Sequence, residues 1–182
     1  MYGKILCKIC LLLLLVGSVG AVNGQRYVAK NGNVKLKYKA PHGAMAAENK
    51  QVNVGFDSKT GAMQFNIVML AFHFDGAFSQ EQFNAYFKKN AHFANSSFKG
   101  KIVDFQNINL SKNGEYDVWV EGKFTFRRTT SDMSAKAKFI VKDNKLLGRS
   151  VFVLNLKDYN IKLAPTMNET IEVHFNAELN RL

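Results

Sequence analysis

The chain has little that would staple or punctuate it: 182 residues include two cysteines, two prolines and one tryptophan. Two cysteines cannot frame a disulfide scaffold, and four histidines scattered at 42, 73, 92 and 174 do not make a zinc cluster. There is no glycine-rich phosphate loop, no nucleophile elbow, and no pair of carboxylates facing each other from inward positions. The expectation is therefore a protein that is not an enzyme and holds no metal or cofactor. Linkers are missing too, since Pro41 and Pro165 are isolated and no charge block interrupts the chain, which leaves one domain after a short leader. What is present is a formal net charge of +11 and 47% hydrophobic residues, enough to pack a core.

The leader is residues 1–24. Lys4 and Lys8 precede an apolar run from Ile9 to Val16, and small residues follow as far as Gly24. This is the layout of a cleaved secretory signal, with the cut expected between Gly24 and Gln25. The apolar run is shorter than the roughly 20 residues of a membrane span. Cys7 and Cys10 both leave with it, so the domain from 25 to 182 contains no cysteine, is expected in the periplasm or outside the cell, and relies on its core for stability.

From Gln25 onward the dominant pattern is period-2 alternation, the mark of half-buried strands. Val34, Leu36 and Tyr38 alternate with Lys35, Lys37 and Lys39. Val52, Val54 and Phe56 lead into a turn at Asp57 to Gly61, and Met63, Phe65, Ile67 and Met69 follow as a hairpin partner. Further inward sets are Phe98, Gly100 and Ile102; Tyr116 to Phe126; Ala135 to Val141; Ser150 to Leu156; and Ile171 to Leu179. This makes eight strong strands and a short ninth at Arg26 to Lys30. Asn113-Gly114 and Asp143-Asn144 supply turns. One segment differs: Ser79 to Asn90, opened by a capping Ser79 and carrying Phe83, Tyr86 and Phe87 on one face, predicts a single amphipathic helix.

Strands of about ten residues, roughly 33 Å long, must hide their edges, and closure into an antiparallel barrel of about eight strands does so. The inward set is rich in phenylalanine and carries methionines, with no polar constellation. It suits an elongated apolar ligand, each buried methylene contributing about 0.8 kcal/mol. The acidic residues Asp117, Glu121, Glu172 and Glu178 fall on outward positions, as does His174; His73, between Phe72 and Phe74, is the histidine expected to be half-buried. The cations Lys99, Lys101, Lys136 and Lys138 also point outward. With aromatics on the opposite face, Trp119 excepted, they do not read as a nucleic-acid site; the plain reading is a soluble cationic surface, and the functional alternative is attraction to anionic lipid head groups.

Several segments, in order, resemble the YceI family of exported polyisoprenoid- or lipid-binding proteins, in its Bacteroidetes-type form. They are Val54-Gly55-Phe56-Asp57-Ser58-Lys59-Thr60-Gly61, Phe72-His73-Phe74, Gln82-Phe83-Asn84 through Tyr86, Ser97-Phe98-Lys99-Gly100-Lys101-Ile102, and Asp158-Tyr159-Asn160-Ile161. The resemblance runs from Arg26 to Leu179. It implies a lipocalin-like extended barrel, a helix near the mouth, and an amphiphile in the pore. Where the family carries His-Gly-Val-Thr, this chain has Arg127-Arg128-Thr129-Thr130, so no histidine role transfers there. The two arginines are instead placed to meet an anionic head group.

The expected pore wall is Phe65, Ile67, Met69, Val118, Val120, Phe124, Phe126, Phe139, Phe152, Leu154, Val173 and Phe175, with Phe83, Phe87, Arg127 and Arg128 at the mouth. The expected partner is a polyisoprenoid or other long-chain lipid. The alternative is a non-catalytic stress-response or envelope interaction module that uses its basic surface, and a homodimer stays open.

Overall fold

The computed structural model describes residues 25–40, 43–161 and 168–182; the expected leader at 1–24 lies outside the described residues. Among the described residues there are nine strands and one α-helix. The strands are β1 (Arg26–Ala40), β2 (Gly43–Asp57), β3 (Ala62–Val68), β4 (His73–Phe74), β5 (Asn95–Ile102), β6 (Gly114–Phe126), β7 (Thr129–Lys142), β8 (Lys145–Asn155) and β9 (Thr170–Arg181). The helix is α1 (Ala77–Lys89). Every pairing is antiparallel, in the order β1-β9-β8-β7-β6-β5-β3-β2, and β2 pairs back with β1 to close an eight-stranded barrel. The two residues of β4 add to β2 above the point where β3 has ended. Closure leaves no long unpaired edge.

Two of the expected strand boundaries change, for one reason. The short pattern at Arg26 to Lys30 is not a separate strand but the first third of β1. Register shifts between Ala29 and Gly32 and between Gly32 and Val34 mark a bulge, and the inward set passes from Tyr27 and Ala29 to Val34 and Tyr38. An extra residue in one strand flips the alternation, so one bulged strand reads as two. β2 shows the same change of phase, from buried Ala47 and Asn49 to buried Val52, Val54 and Phe56. Its first half carries little β signal, yet pairs with β1 on one side and β4 on the other. Asn49 seals this break: its Nδ2 donates to Val68 O at 2.8 Å and its Oδ1 accepts from Gln51 N–H at 2.8 Å.

The helix starts earlier than predicted, and Ser79 does not cap it. Gly76 is the N-cap residue, without a side-chain bond. Ser79 lies inside the first turn, and its hydroxyl donates to Met45 Sδ at 3.2 Å. Gln80 ties the helix down instead: its Oε1 accepts from Phe74 N–H, and its Nε2 donates to Phe72 O. His73 is exposed, not half-buried. Its partner in the ladder is Glu48 while Phe74 pairs with the buried Ala47, and adjacent residues on a strand face opposite ways.

The two ends of the barrel differ. At the end carrying the β7–β8 turn, Phe56 packs against Tyr27, Phe105 and Phe139 at ring-centroid distances of 6.2, 5.5 and 5.4 Å. Val141, Leu146 and Leu179 are buried in the same half, which is thereby floored. Higher in the wall, Gly100 of β5 lies directly opposite Gly122 of β6, and the Phe98 ring folds across both.

The β2–β3 turn at the floored end is held by Asp57, whose Oδ1 accepts from Lys59 N–H at 2.8 Å and Thr60 N–H at 3.2 Å. The Lys59 amide, with the Thr60 amide and the Arg26 charge behind it, lowers the Asp57 carboxyl below its ordinary value, against the opposing effect of desolvation. A carboxyl whose folded pKa is depressed stabilises the fold above its unfolded value and loses that contribution as pH falls through the folded value. Melting temperature followed from neutral pH down through pH ~4 and below should thus drop less in Asp57→Asn, which keeps an acceptor oxygen but no titrating charge, than in the parent. Equal slopes would remove Asp57 from the acid response.

Candidate functional site

The upper half of the barrel is hollow. A cavity of about 340 Å³ extends from the middle of the barrel toward α1. Its wall follows from the alternation along each strand, since successive inward residues of β3, β6, β7, β8 and β9 face one lumen. All twelve residues expected in the wall line it: Phe65, Ile67 and Met69; Val118, Val120, Phe124 and Phe126; Phe139, Phe152 and Leu154; Val173 and Phe175.

At the mouth the four expected residues divide. Phe83 lines the cavity from α1. Phe87 does not; it is buried behind Phe83, with ring centroids 4.6 Å apart, and wedges the helix against Phe126 at 6.4 Å. Arg127 and Arg128 form the β6–β7 turn on the rim, outside the lining. The Arg127 guanidinium lies over the Tyr86 and Phe93 rings at 5.4 and 5.2 Å, and Arg128 over Phe93 at 5.8 Å. Arg127 adopts φ +58, a left-handed conformation that an L-residue takes at a cost, and the two-ring stack offsets that cost.

Several lining residues were not anticipated. β1 and β2 contribute Leu36, Tyr38 and Met45, and the segment after β8 contributes Tyr159 and Ile161. The β1 residues belonged to a recognised alternating set and were legible. Tyr159 was not, because it belongs to a 3-10 turn (Leu156–Tyr159) with no strand periodicity. It is buried and packs edge-on to Phe124 at 5.5 Å; burial, with the Asp158 charge second, raises its phenol pKa.

The lumen is narrowed part-way along, and the cavity continues past the narrowing to Phe139. Phe65 of β3 and Phe175 of β9 stack with centroids 4.8 Å apart, although two other strands separate β3 from β9 in the ring. Phe98 stacks on the other side of Phe65 at 5.2 Å. Three hydroxyls around the lumen are already occupied within the protein. Ser96 donates to Met69 Sδ at 3.1 Å, Ser150 to Lys136 O at 2.6 Å and Tyr38 to Asn168 O at 3.0 Å. What remains for a guest is carbon and thioether surface, which selects for apolar volume and polarisable contact. Among the described residues no group of three or more His, Cys, Asp or Glu side chains is placed to hold a metal.

Comparison with known proteins agrees with this architecture. A polyisoprenoid-binding domain from Saccharophagus degradans implicated in plant cell wall breakdown superposes with TM-score 0.71 at 10% identity, over 88% of this chain and 100% of that one. Burkholderia cenocepacia BcnA superposes with TM-score 0.60 at 12% identity, over 81% and 95% of the two chains. The Campylobacter jejuni YCEI protein does so with TM-score 0.54 at 12% identity, over 72% and 82%. At such identities these structures share the fold. No curated protein matches the chain. The family model for the YceI-like domain matches residues 25–179, and the chain belongs to that family.

Proposed function

We propose that this protein is an exported, non-enzymatic carrier that holds a polyisoprenoid or other long-chain amphiphile in its barrel. The observation that carries the reading is the cavity of about 340 Å³ whose surface is almost wholly carbon and sulfur and around which Ser96, Ser150 and Tyr38 spend their hydroxyls on the protein itself. Such a space offers an amphiphile's polar head nothing and its tail a great deal. Ten methylenes taken from water supply about 8 kcal/mol, enough to offset ordinary association costs. The head group then belongs at the rim, where Arg127 and Arg128 stand ready for an anionic one. The Saccharophagus relative, described as polyisoprenoid-binding, supports the ligand class, and the leader supports export.

The test is to purify the protein natively, extract it with organic solvent, and weigh what comes out. Near-stoichiometric lipid is expected, and paired Arg127→Ala and Arg128→Ala changes should enrich the complement in neutral heads. A protein that is repeatedly empty and takes up no isoprenoid when offered it overturns the reading.

A further inference from the structure

We propose that the outer face of α1, together with the arginine turn beside it, is a docking surface for an anionic lipid bilayer. The inference deepens the carrier reading, on which it rests for its purpose: a water-insoluble guest is best exchanged with the mouth pressed against the phase that dissolves it.

The helix buries Phe83 and Phe87. At 3.6 residues per turn, the stripe opposite Phe87 contains Phe78, Gln82, Ala85 and Lys89. On a helix that only faces water this stripe would be polar throughout. Here Phe78 is 75% exposed, the most exposed aromatic side chain among the described residues, and Tyr86 and Leu70 are exposed nearby on α1 and on the 3-10 turn that packs against it. α1 thus carries aromatics on both faces, and packing explains only the inner one.

The cations of this face gather at the C-terminal end of the helix and on the turn beside it. Lys88 and Lys89 close the helix, and Arg127, stacked on Tyr86, brings Arg128 alongside. None of these four cations has an ion-pair partner among the described residues. On the barrel wall several lysines pair with carboxylates, as in Lys35–Glu48, Lys37–Glu172, Lys123–Asp132 and Lys138–Asp117, whereas Lys99, Lys101 and Lys136 have no such partner among the described residues. The charges closest to Phe78 in sequence are acidic: Asp75, before the helix, and Glu81, one turn along on the same flank as Lys88, while Lys88 and Lys89 lie at the far end of the helix. A helix that exposes a phenylalanine at one end and unpaired cations with a tyrosine at the other has the composition that seats a helix in the head-group layer of an anionic membrane. One convex helix face with no groove is a poor seat for a folded partner, and this face lies at the open end of the cavity. The wall has its own exposed apolar side chains, Trp119, Val151 and Val153, with Lys136 over the Trp119 ring at 5.3 Å, and serves as an internal control of similar composition away from the cavity mouth.

The barrel is closed by residues from Arg26 onward, so protein starting at Gln25 is the material for the test. Trp119 is the single tryptophan. Placing Phe78→Trp in a Trp119→Phe background puts the probe on the helix face, and the parent protein keeps it on the wall. With phosphatidylglycerol-containing vesicles the helix probe should shift to the blue and brighten, and the wall probe should not. Phosphatidylcholine vesicles and high salt should abolish the shift. Replacing Lys88 and Lys89 together by serine should weaken vesicle partition about 30-fold, near fivefold per cation. Phe78→Ser should remove sedimentation with vesicles at unchanged melting temperature, because its ring packs against little. No shift at position 78 on anionic vesicles, or undiminished sedimentation of Phe78→Ser, overturns the docking surface. A lipid-filled protein that ignores vesicles sinks the docking proposal alone. A protein that docks but yields no lipid on extraction sinks the carrier reading and leaves the surface standing.

Discussion

Gly122→Ala should destabilise the barrel by about 3 kcal/mol, at the upper end of overpacking costs, and lower the melting temperature by roughly 6–12 °C. A Cβ at Gly122 would stand 2.3 Å from Lys99 O, 2.5 Å from Gly100 Cα and 2.8 Å from the Phe98 ring. The first two are backbone atoms of the paired strand and cannot turn aside as a side chain would. The reciprocal change is as severe, since a Cβ at Gly100 would approach Glu121 O to 2.2 Å. Both backbones are drawn together under Phe98, whose ring supplies the apolar cover that two glycines lack. Gly55→Ala is the matched control in β2: nothing lies within 4 Å of the added methyl, so the change should be neutral or stabilise by about 0.5 kcal/mol. Thermal melts of the three variants decide the matter. Equal behaviour of Gly122→Ala and Gly55→Ala would show that β5 and β6 separate freely and that the close approach is not required.

The second large effect concerns the guest rather than the fold. Ala137 lines the cavity from β7, between Val118 of β6 and Ser150 of β8 in the ladder. Ala137→Trp should fill the space a ligand would occupy while adding a residue that strands favour. Displacing about four methylenes of bound chain costs the complex about 3 kcal/mol, or more than a hundredfold in affinity. Lipid recovered per protein should fall from near one to almost none, with the melting temperature little changed. Undiminished lipid in a folded Ala137→Trp protein would place the binding site elsewhere.

Much of this architecture was legible because a barrel with an apolar lumen writes itself into the chain as alternation. Val118, Val120 and Phe124 point one way and Asp117, Trp119, Glu121 and Lys123 the other, and β6 could not be built otherwise. Legibility failed where periodicity is interrupted. The bulge after Ala29 shifted the phase of β1, and the alanine-rich start of β2 is a strand only because β1 and β4 flank it. His73 was misplaced because a pair of flanking phenylalanines says nothing about which parity faces in; the ladder to Ala47 and Glu48 settled it. Phe83 and Phe87 share one helical face, but only the packing shows that Phe83 meets the lumen while Phe87 serves as a wedge. Tyr159 required knowing how the segment after β8 folds over the mouth. The side chains around a cavity are local facts, whereas the positions of turns that cover it are not.

The aromatic floor formed by Tyr27, Phe56, Phe105 and Phe139 turns the barrel from a tunnel into a blind tube. A chain threading a blind tube has one order of entry, tail leading, and one order of exit, head leading. The floor thereby becomes a ruler. Each added methylene improves the fit by about 0.8 kcal/mol until the tail meets Phe139, after which further length must hang in water and contributes nothing. Affinity plotted against chain length should climb and then level off at the depth of the tube, and removing floor rings one at a time should move that plateau toward longer chains.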